Sequence, residues 1–221
     1  FLYTLITVPI GMVLGFALGY FMNQKTKGIG IFRVLYYLPV VLPAIVASLL
    51  WQNLADMQKG VLNYLLSLVH LGPFSFFQSA ETALPSLFFM GLFQLGGGMV
   101  MWLAQLKSIP PDYYEAASLD GAGFWTKMFR ITIPMCTPMI FYNLLINVIT
   151  TLQTFSTAFL LLNDLNRDSM NFFVIRIYGQ AMLNNQMGEA CALSWILFVV
   201  VGLISVVVFK TSKWVYYGED N

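Results

Sequence analysis

Five stretches of this chain carry no charged side chain, and each is long enough as a helix to cross a lipid bilayer. They run Phe1 to Met22, Val34 to Leu54, Leu84 to Leu106, Met135 to Leu162 and Ala190 to Phe209. A bilayer core about 30 Å thick needs about 20 apolar residues in helical form. Only 10% of the residues are charged and 58% are hydrophobic, whereas soluble domains carry about 25% charged residues. The predicted class is therefore an all-α integral membrane protein with five transmembrane helices in a single domain, 1–221. The chain opens at Phe1 with no initiator Met and no basic segment of the signal-peptide kind. It is expected to be cut from a longer protein.

Several functions are excluded at this level. The net charge of +1 comes with no basic run to follow phosphates, so no nucleic-acid partner is expected. Cys136 and Cys191 have no CxxC or histidine companion, and both read as buried, inert thiols. His70 is the single histidine, so a multi-histidine metal site is ruled out. No Ser/His/Asp set and no P-loop is present, and Gly96-Gly97-Gly98 is not a GxGxxG turn. No catalytic residue, metal or cofactor is assigned to this chain.

The spans carry internal marks. Gly11, Gly15 and Gly19 recur every four residues in the first, a small-residue stripe that lets a neighbouring helix come close. Pro39 and Pro43 interrupt the second; a break lining a pathway and a plain kink both fit. The triple glycine predicts a break or a close approach in the third. The loop Asn53 to Ala83 contains an apolar patch, Val61 to Val69, too short to span and suited to an interfacial helix. A second polar loop runs Asn163 to Gly188. Lys210, Lys213 and Trp214 fit headgroup-level anchors. Alternation of sides puts Lys25, Lys27, Arg33, Lys107, Lys127, Arg130, Lys210 and Lys213 on one face of the membrane. Lys59, Arg167 and Arg176 fall on the other. The positive-inside rule makes the first side cytoplasmic.

On that side lies the loop 107–134. Pro110 and Pro111 suit a first helical turn. Asp112 and Glu115 favour the positive end of the dipole, and Gly121 suits a left-handed terminator. A helix of about nine residues, Asp112 to Asp120, is marginal alone in water. Ala116, Ala117 and Gly121 leave room for another backbone. Asp120 opposes the dipole at the far end, as an acid awaiting a partner's cation would.

Glu115-Ala116-Ala117, three residues, Gly121 and then Ile131-Thr132-Ile133-Pro134 resemble the EAA loop of binding-protein-dependent ABC importer permeases. The text from Leu50 to Leu66, the run LKSIPPDYYEAA and the terminal KWVYYGED are similar to the carbohydrate-uptake branch, in the style of maltose and glycerol-phosphate permeases. The resemblance spans nearly the whole chain. It implies a cytoplasmic coupling helix that docks on ABC ATPase subunits through Tyr114, Glu115, Ala116, Ala117, Asp120 and Gly121. It also implies ATP and Mg bound by that partner rather than here, a second and different permease subunit, and an extracytoplasmic solute-binding protein. Further implications are a bacterial-type inner membrane location, with the EAA loop and C-terminus cytoplasmic, and at least one more span upstream. The family's Gly-Gly-Pro-rich outer loop is replaced by Leu162 to Asp168.

In the fourth span Asn143, Asn147, Thr150, Thr151 and Thr154 recur at steps of three and four and share one face; Gln153 lies off it. Polar groups at membrane depth face the bundle interior or a water-filled cavity. Neutral amides and hydroxyls suit a sugar or polyol, and Gln94 is a facing candidate from the third span. Plain inter-helix hydrogen bonds are the other reading of this face. The rival function is an ATP-independent secondary transporter or channel. It calls for intramembrane Asp, Glu or Lys, which the five runs lack. A non-transporting scaffold would explain the glycines but not the amide and hydroxyl face.

Overall fold

The computed structural model describes residues 1–24 and 26–215, and among them there is no strand. The helices are α1 Leu2–Met22, α2 Ile29–Val41, α3 Ala44–Leu54, α4 Val61–Leu68, α5 Ala80–Leu92, α6 Gly96–Ser108 and α7 Pro111–Leu119. They continue as α8 Phe124–Lys127, α9 Ile133–Met135, α10 Thr137–Leu152, α11 Ser156–Leu161, α12 Arg167–Met170, α13 Phe173–Tyr178 and α14 Met187–Lys210. Wide π-helical turns, Met128–Thr132 and Gly179–Leu183, join α8 to α9 and follow α13. Three segments are long and apolar enough to cross a membrane alone: Leu2–Met22, Thr137–Leu161 and Met187–Trp214. Lys25 and the end of the terminal KWVYYGED text, from Tyr216 on, lie outside the described residues.

The glycine stripe of α1 meets α6. A Cβ on Gly15 would sit 3.3 Å from the Trp102 indole nitrogen, and one on Gly19 would sit 2.5 Å from Trp102 Cβ. Trp102 is 2% exposed, and Phe16 meets its ring edge-to-face at 5.4 Å. Lipid tails are as apolar as leucine, so close packing and hydrogen bonds hold such a pair rather than exclusion from water. Missing side chains on α1 are what let a tryptophan come this close to it.

Two expected spans are not straight. The second bends by 99° between α2 and α3, and the third bends by 45° between α5 and α6. Pro43 starts α3, and the residue before it, Leu42, is extended at ψ 129°. Proline disfavours the helical region for its predecessor, so α2 must end there. Pro39, in contrast, stays inside α2. The break in the third span falls at Phe93 to Leu95, one step before the triple glycine, which forms the first turn of α6. Gly96 packs directly on the Tyr36 backbone of α2, and Trp51 meets Phe93 at 4.9 Å. Both arms of the second span thus touch the break in the third.

The fourth span is also divided: α10 stops at Leu152, and α11 starts at Ser156. The fifth extends further at both ends than its charge-free run. The Asn163 to Gly188 segment is not plain loop but holds α12, α13 and a π turn. The apolar patch of the preceding loop is helical, as Val61–Leu68. Cys136 is buried but Cys191 is exposed on α14, which corrects the expectation of two buried thiols. A residue on a single outer helix has an apolar neighbourhood in sequence without a packed one in space.

Asparagines tie the two large loops together. The fully buried Asn166 side chain donates to Phe77 O at 2.7 Å and Leu161 O at 2.9 Å, and accepts from Asn163 N at 2.8 Å. Asn163 also donates to Phe77 O at 2.9 Å. Asn63 accepts from Phe74 N at 2.7 Å and donates to Asp56 O and Phe74 O, both at 3.1 Å. Buried carbonyls need partners, and these amides supply them where no helix does.

Candidate functional site

The loop helix α7 has no buried residue. Pro111 occupies its first position, and Asp112 lies in its first turn. Its far end closes with Ala122 N donating to Ala117 O at 2.8 Å and Gly121 N to Ser118 O at 3.1 Å. That 6→1 and 5→2 pair is a Schellman motif, and its left-handed residue is Gly121 at φ +75°. Asp120 is the capping residue rather than the last helical one, so its backbone is only half in the dipole. Glu115, Ala116 and Leu119 point to solvent, and Leu119 is 91% exposed. Two side-chain bonds hold the helix to the membrane segment. Tyr114 Oη and Thr132 Oγ1 lie 3.0 Å apart, and Lys127 Nζ donates to Ser118 Oγ at 2.6 Å. Thr132 is 1% exposed and sits in the π turn that leads into α9 and α10. A movement of α7 therefore has a direct route to α10.

A cleft of about 300 Å³ opens between α1, the α5–α6 break and α10. It brings together Gln94, Asn143, Asn147 and Thr151 from the expected set. Asn143 donates to Met139 O at 2.9 Å, and Thr151 to Asn147 O at 2.6 Å. The side-chain amides of Asn147 and Gln94 make no hydrogen bond to any described residue, which leaves them free for a ligand. Thr150 is exposed and does not line the cleft; its hydroxyl donates to Ile146 O at 2.9 Å. Thr154 falls past the end of α10, so the helical periodicity that grouped it with Asn143 no longer applies there. Thr7, Tyr142 and Trp102 also line the cleft. Sequence reasoning missed them because a lone threonine or aromatic ring in an apolar run carries no periodic signal.

Two more cavities lie toward the α12–α13 segment. One, of about 450 Å³, shares Thr151 with the cleft. The other, of about 340 Å³, shares Asn171 and Arg176 with the first. No group of three or more metal-ligating side chains exists among the described residues.

Neutral polar groups thus line a cleft between long apolar helices, and an exposed helix is tied to the same segment. The chain belongs to the family of binding-protein-dependent transport system inner membrane components, whose model matches residues 8–216. It is 36% identical over 222 residues to the probable ABC transporter permease protein YesP of Bacillus subtilis (strain 168), covering 98% of this chain and 72% of that one. It is 24% identical over 212 residues to the trehalose/maltose transport system permease protein MalF of Thermococcus litoralis, covering 96% and 72%. Its fold matches a subunit in the crystal structure of a bacterial ABC transporter involved in the import of the acidic polysaccharide alginate. That match has a TM-score of 0.87 at 24% identity, covering 96% of this chain and 74% of the other.

Proposed function

We propose that this permease carries a sugar or oligosaccharide, handed over by an extracytoplasmic solute-binding protein, through a path lined by Gln94, Asn143, Asn147 and Thr151. Two relatives support the carbohydrate class: MalF by its trehalose/maltose name, and a permease of Bacillus subtilis (strain 168), 25% identical, by its arabinooligosaccharide name. The chain forms one permease domain, 1–221, with five crossings, counting each bent helix pair as one. It works beside a second permease of different sequence, in lipid. The loop 107–134 and the C-terminus face the cytoplasm.

The observation that carries this reading is α7, a nine-residue helix with no buried residue, closed by a left-handed glycine and tied to the spans through Tyr114. Such a helix needs a partner to cover it. ABC ATPase subunits, which bind ATP and Mg, grip Tyr114, Glu115, Ala116, Ala117, Asp120 and Gly121. Closure of the ATPases pulls α7, and the Tyr114–Thr132 contact passes the motion to α10. The cleft then alternates between the two sides, a two-state change biased by nucleotide and solute.

The test is uptake by the reconstituted importer with Glu115→Lys or Gly121→Asp. Loss of assembly with the ATPase, or of uptake per ATP, is expected. Uptake at the normal rate by both variants refutes the coupling role. Uptake that survives ATP depletion points instead to an ATP-independent carrier. Asn147→Leu is expected to reduce uptake while leaving assembly intact.

A further inference from the structure

The two cavities beside α12 and α13 meet at Arg176. This side chain is exposed and lines both of them. No carboxylate lies within ion-pair distance of it among the described residues; the one ion pair there is Arg167 with Asp164, at 2.9 Å. Neither cavity has an Asp or Glu in its lining. Of the acids nearest in sequence, Asp164 pairs with Arg167, Asp168 forms no ion pair with a described residue, and Glu189 accepts from Gln180 Nε2 at 2.9 Å. Arg176 is thus a cation without an anion, at the junction of two cavities, one of which shares Thr151 with the cleft.

Beside it stands an aromatic platform. Phe155 and Phe159 stack with centroids 5.1 Å apart, and Tyr178 meets them at 5.3 Å and 5.0 Å. Phe159 and Tyr178 line the same cavity as Arg176. Pyranose rings present C–H faces that pack on aromatic rings, while a guanidinium forks onto a carboxylate with two parallel hydrogen bonds. A neutral sugar would use the rings and take only single hydrogen bonds from the guanidinium, without the charge-assisted fork. A lipid headgroup would use the cation and leave the rings and amides idle.

We propose that Arg176 reads a carboxylate on the incoming solute, so that the transported class is acidic, uronate-bearing oligosaccharides that stack on Phe159 and Tyr178. This deepens the carbohydrate reading above and rests on it.

The test measures ATP-driven uptake by the assembled importer of two defined probe sets. One is oligogalacturonides of two to four residues, and the other is neutral galacto-oligosaccharides of the same lengths. Wild type is expected to take up the acidic set. Arg176→Gln is expected to lower acidic uptake about tenfold or more, Arg176→Lys to retain an intermediate rate, and Tyr178→Ala to lower it too. Basal ATPase activity should stay unchanged in all three, which shows that they fold and assemble. Wild-type uptake of the neutral set alone, unaltered by Arg176→Gln, overturns the acidic class but leaves the sugar importer standing. Equal loss of both sets in Arg176→Gln, with basal ATPase activity unchanged, assigns Arg176 to docking of the solute-binding protein and also overturns it. An effect of Arg176→Gln that appears only in vesicles of anionic lipid assigns the residue to the membrane and likewise overturns the acidic class. Uptake of neither set overturns this inference together with the carbohydrate reading.

Discussion

Alanine placed in turn at Gly96, Gly97 and Gly98 should give three different results from one chemical change. At Gly96 the new methyl would overlap the Tyr36 carbonyl and lie 3.1 Å from Tyr37 Cα. Those are backbone atoms of α2, which cannot swing aside as a side chain can. Overpacking of that kind costs about 1–3 kcal/mol. At Gly97 the methyl would meet only Val40, at 3.4 Å and 3.9 Å, an ordinary contact. At Gly98 nothing lies within 4 Å, so the reduced entropy of the unfolded chain is the main effect. There alanine should stabilise by roughly 0.5–1 kcal/mol. The gap between Gly96→Ala and Gly98→Ala is then on the order of 2–3 kcal/mol, taking the middle of both ranges. At about 2–4 °C per kcal/mol for a chain of this size, that is roughly 4–12 °C in Tm. Thermal unfolding of the purified importer in lipid nanodiscs, followed by intrinsic fluorescence, reads the difference directly. Gly97→Ala should fall between the two. Equal Tm values for Gly96→Ala and Gly98→Ala would refute the close α2–α6 approach and with it the account of why the third span bends.

Gly121→Ala should cost about 1–2 kcal/mol because a Cβ opposes the left-handed backbone; Gly121→Asn should cost less, and both are read in thermal stability and in uptake per ATP. Tyr114→Phe and Thr132→Val should each remove a bond worth about 0.5–1.5 kcal/mol. Their effects on uptake should combine to less than the sum in a double-mutant cycle, whereas strict additivity would show that the two hydroxyls do not act together. Asn166→Ala should strip the side-chain partner from Leu161 O and from Asn163 N, while Phe77 O keeps Asn163, at about 1–3 kcal/mol for each group left unpaired, and speed proteolysis of the 162–170 segment; unchanged cleavage would refute its role as the tie between the loops.

Much of the fold was legible because lipid allows few solutions. Charge-free length alone marked the long apolar helices, and the Pro111–Leu119 helix could be read to within one residue at each end. Its start and stop are local backbone matters: a missing N–H at one end and a permitted positive φ at the other. The glycine stripe told that α1 would be approached, since a missing Cβ is visible in the sequence. It could not tell that Trp102 was the neighbour, because that pairing joins residues some eighty positions apart. Of the residues grouped by periodicity, Asn143, Asn147 and Thr151 line one cleft while Thr150 and Thr154 do not; for Thr154 the reason is that a period holds only while the helix continues.

The sequence by itself determined the solvent, the helical class and the exposed loop helix, because each follows from the chemistry of neighbouring residues. Tertiary structure alone decided the depth of the bends, 99° and 45°, since proline and glycine permit a bend but the angle depends on contacts between spans, such as Tyr36 on Gly96 and Trp51 on Phe93. It alone also decided which polar groups stand unsatisfied. Whether Asn147, Gln94 or Arg176 is free depends on what distant segments bring within hydrogen-bond reach, and no local pattern encodes that.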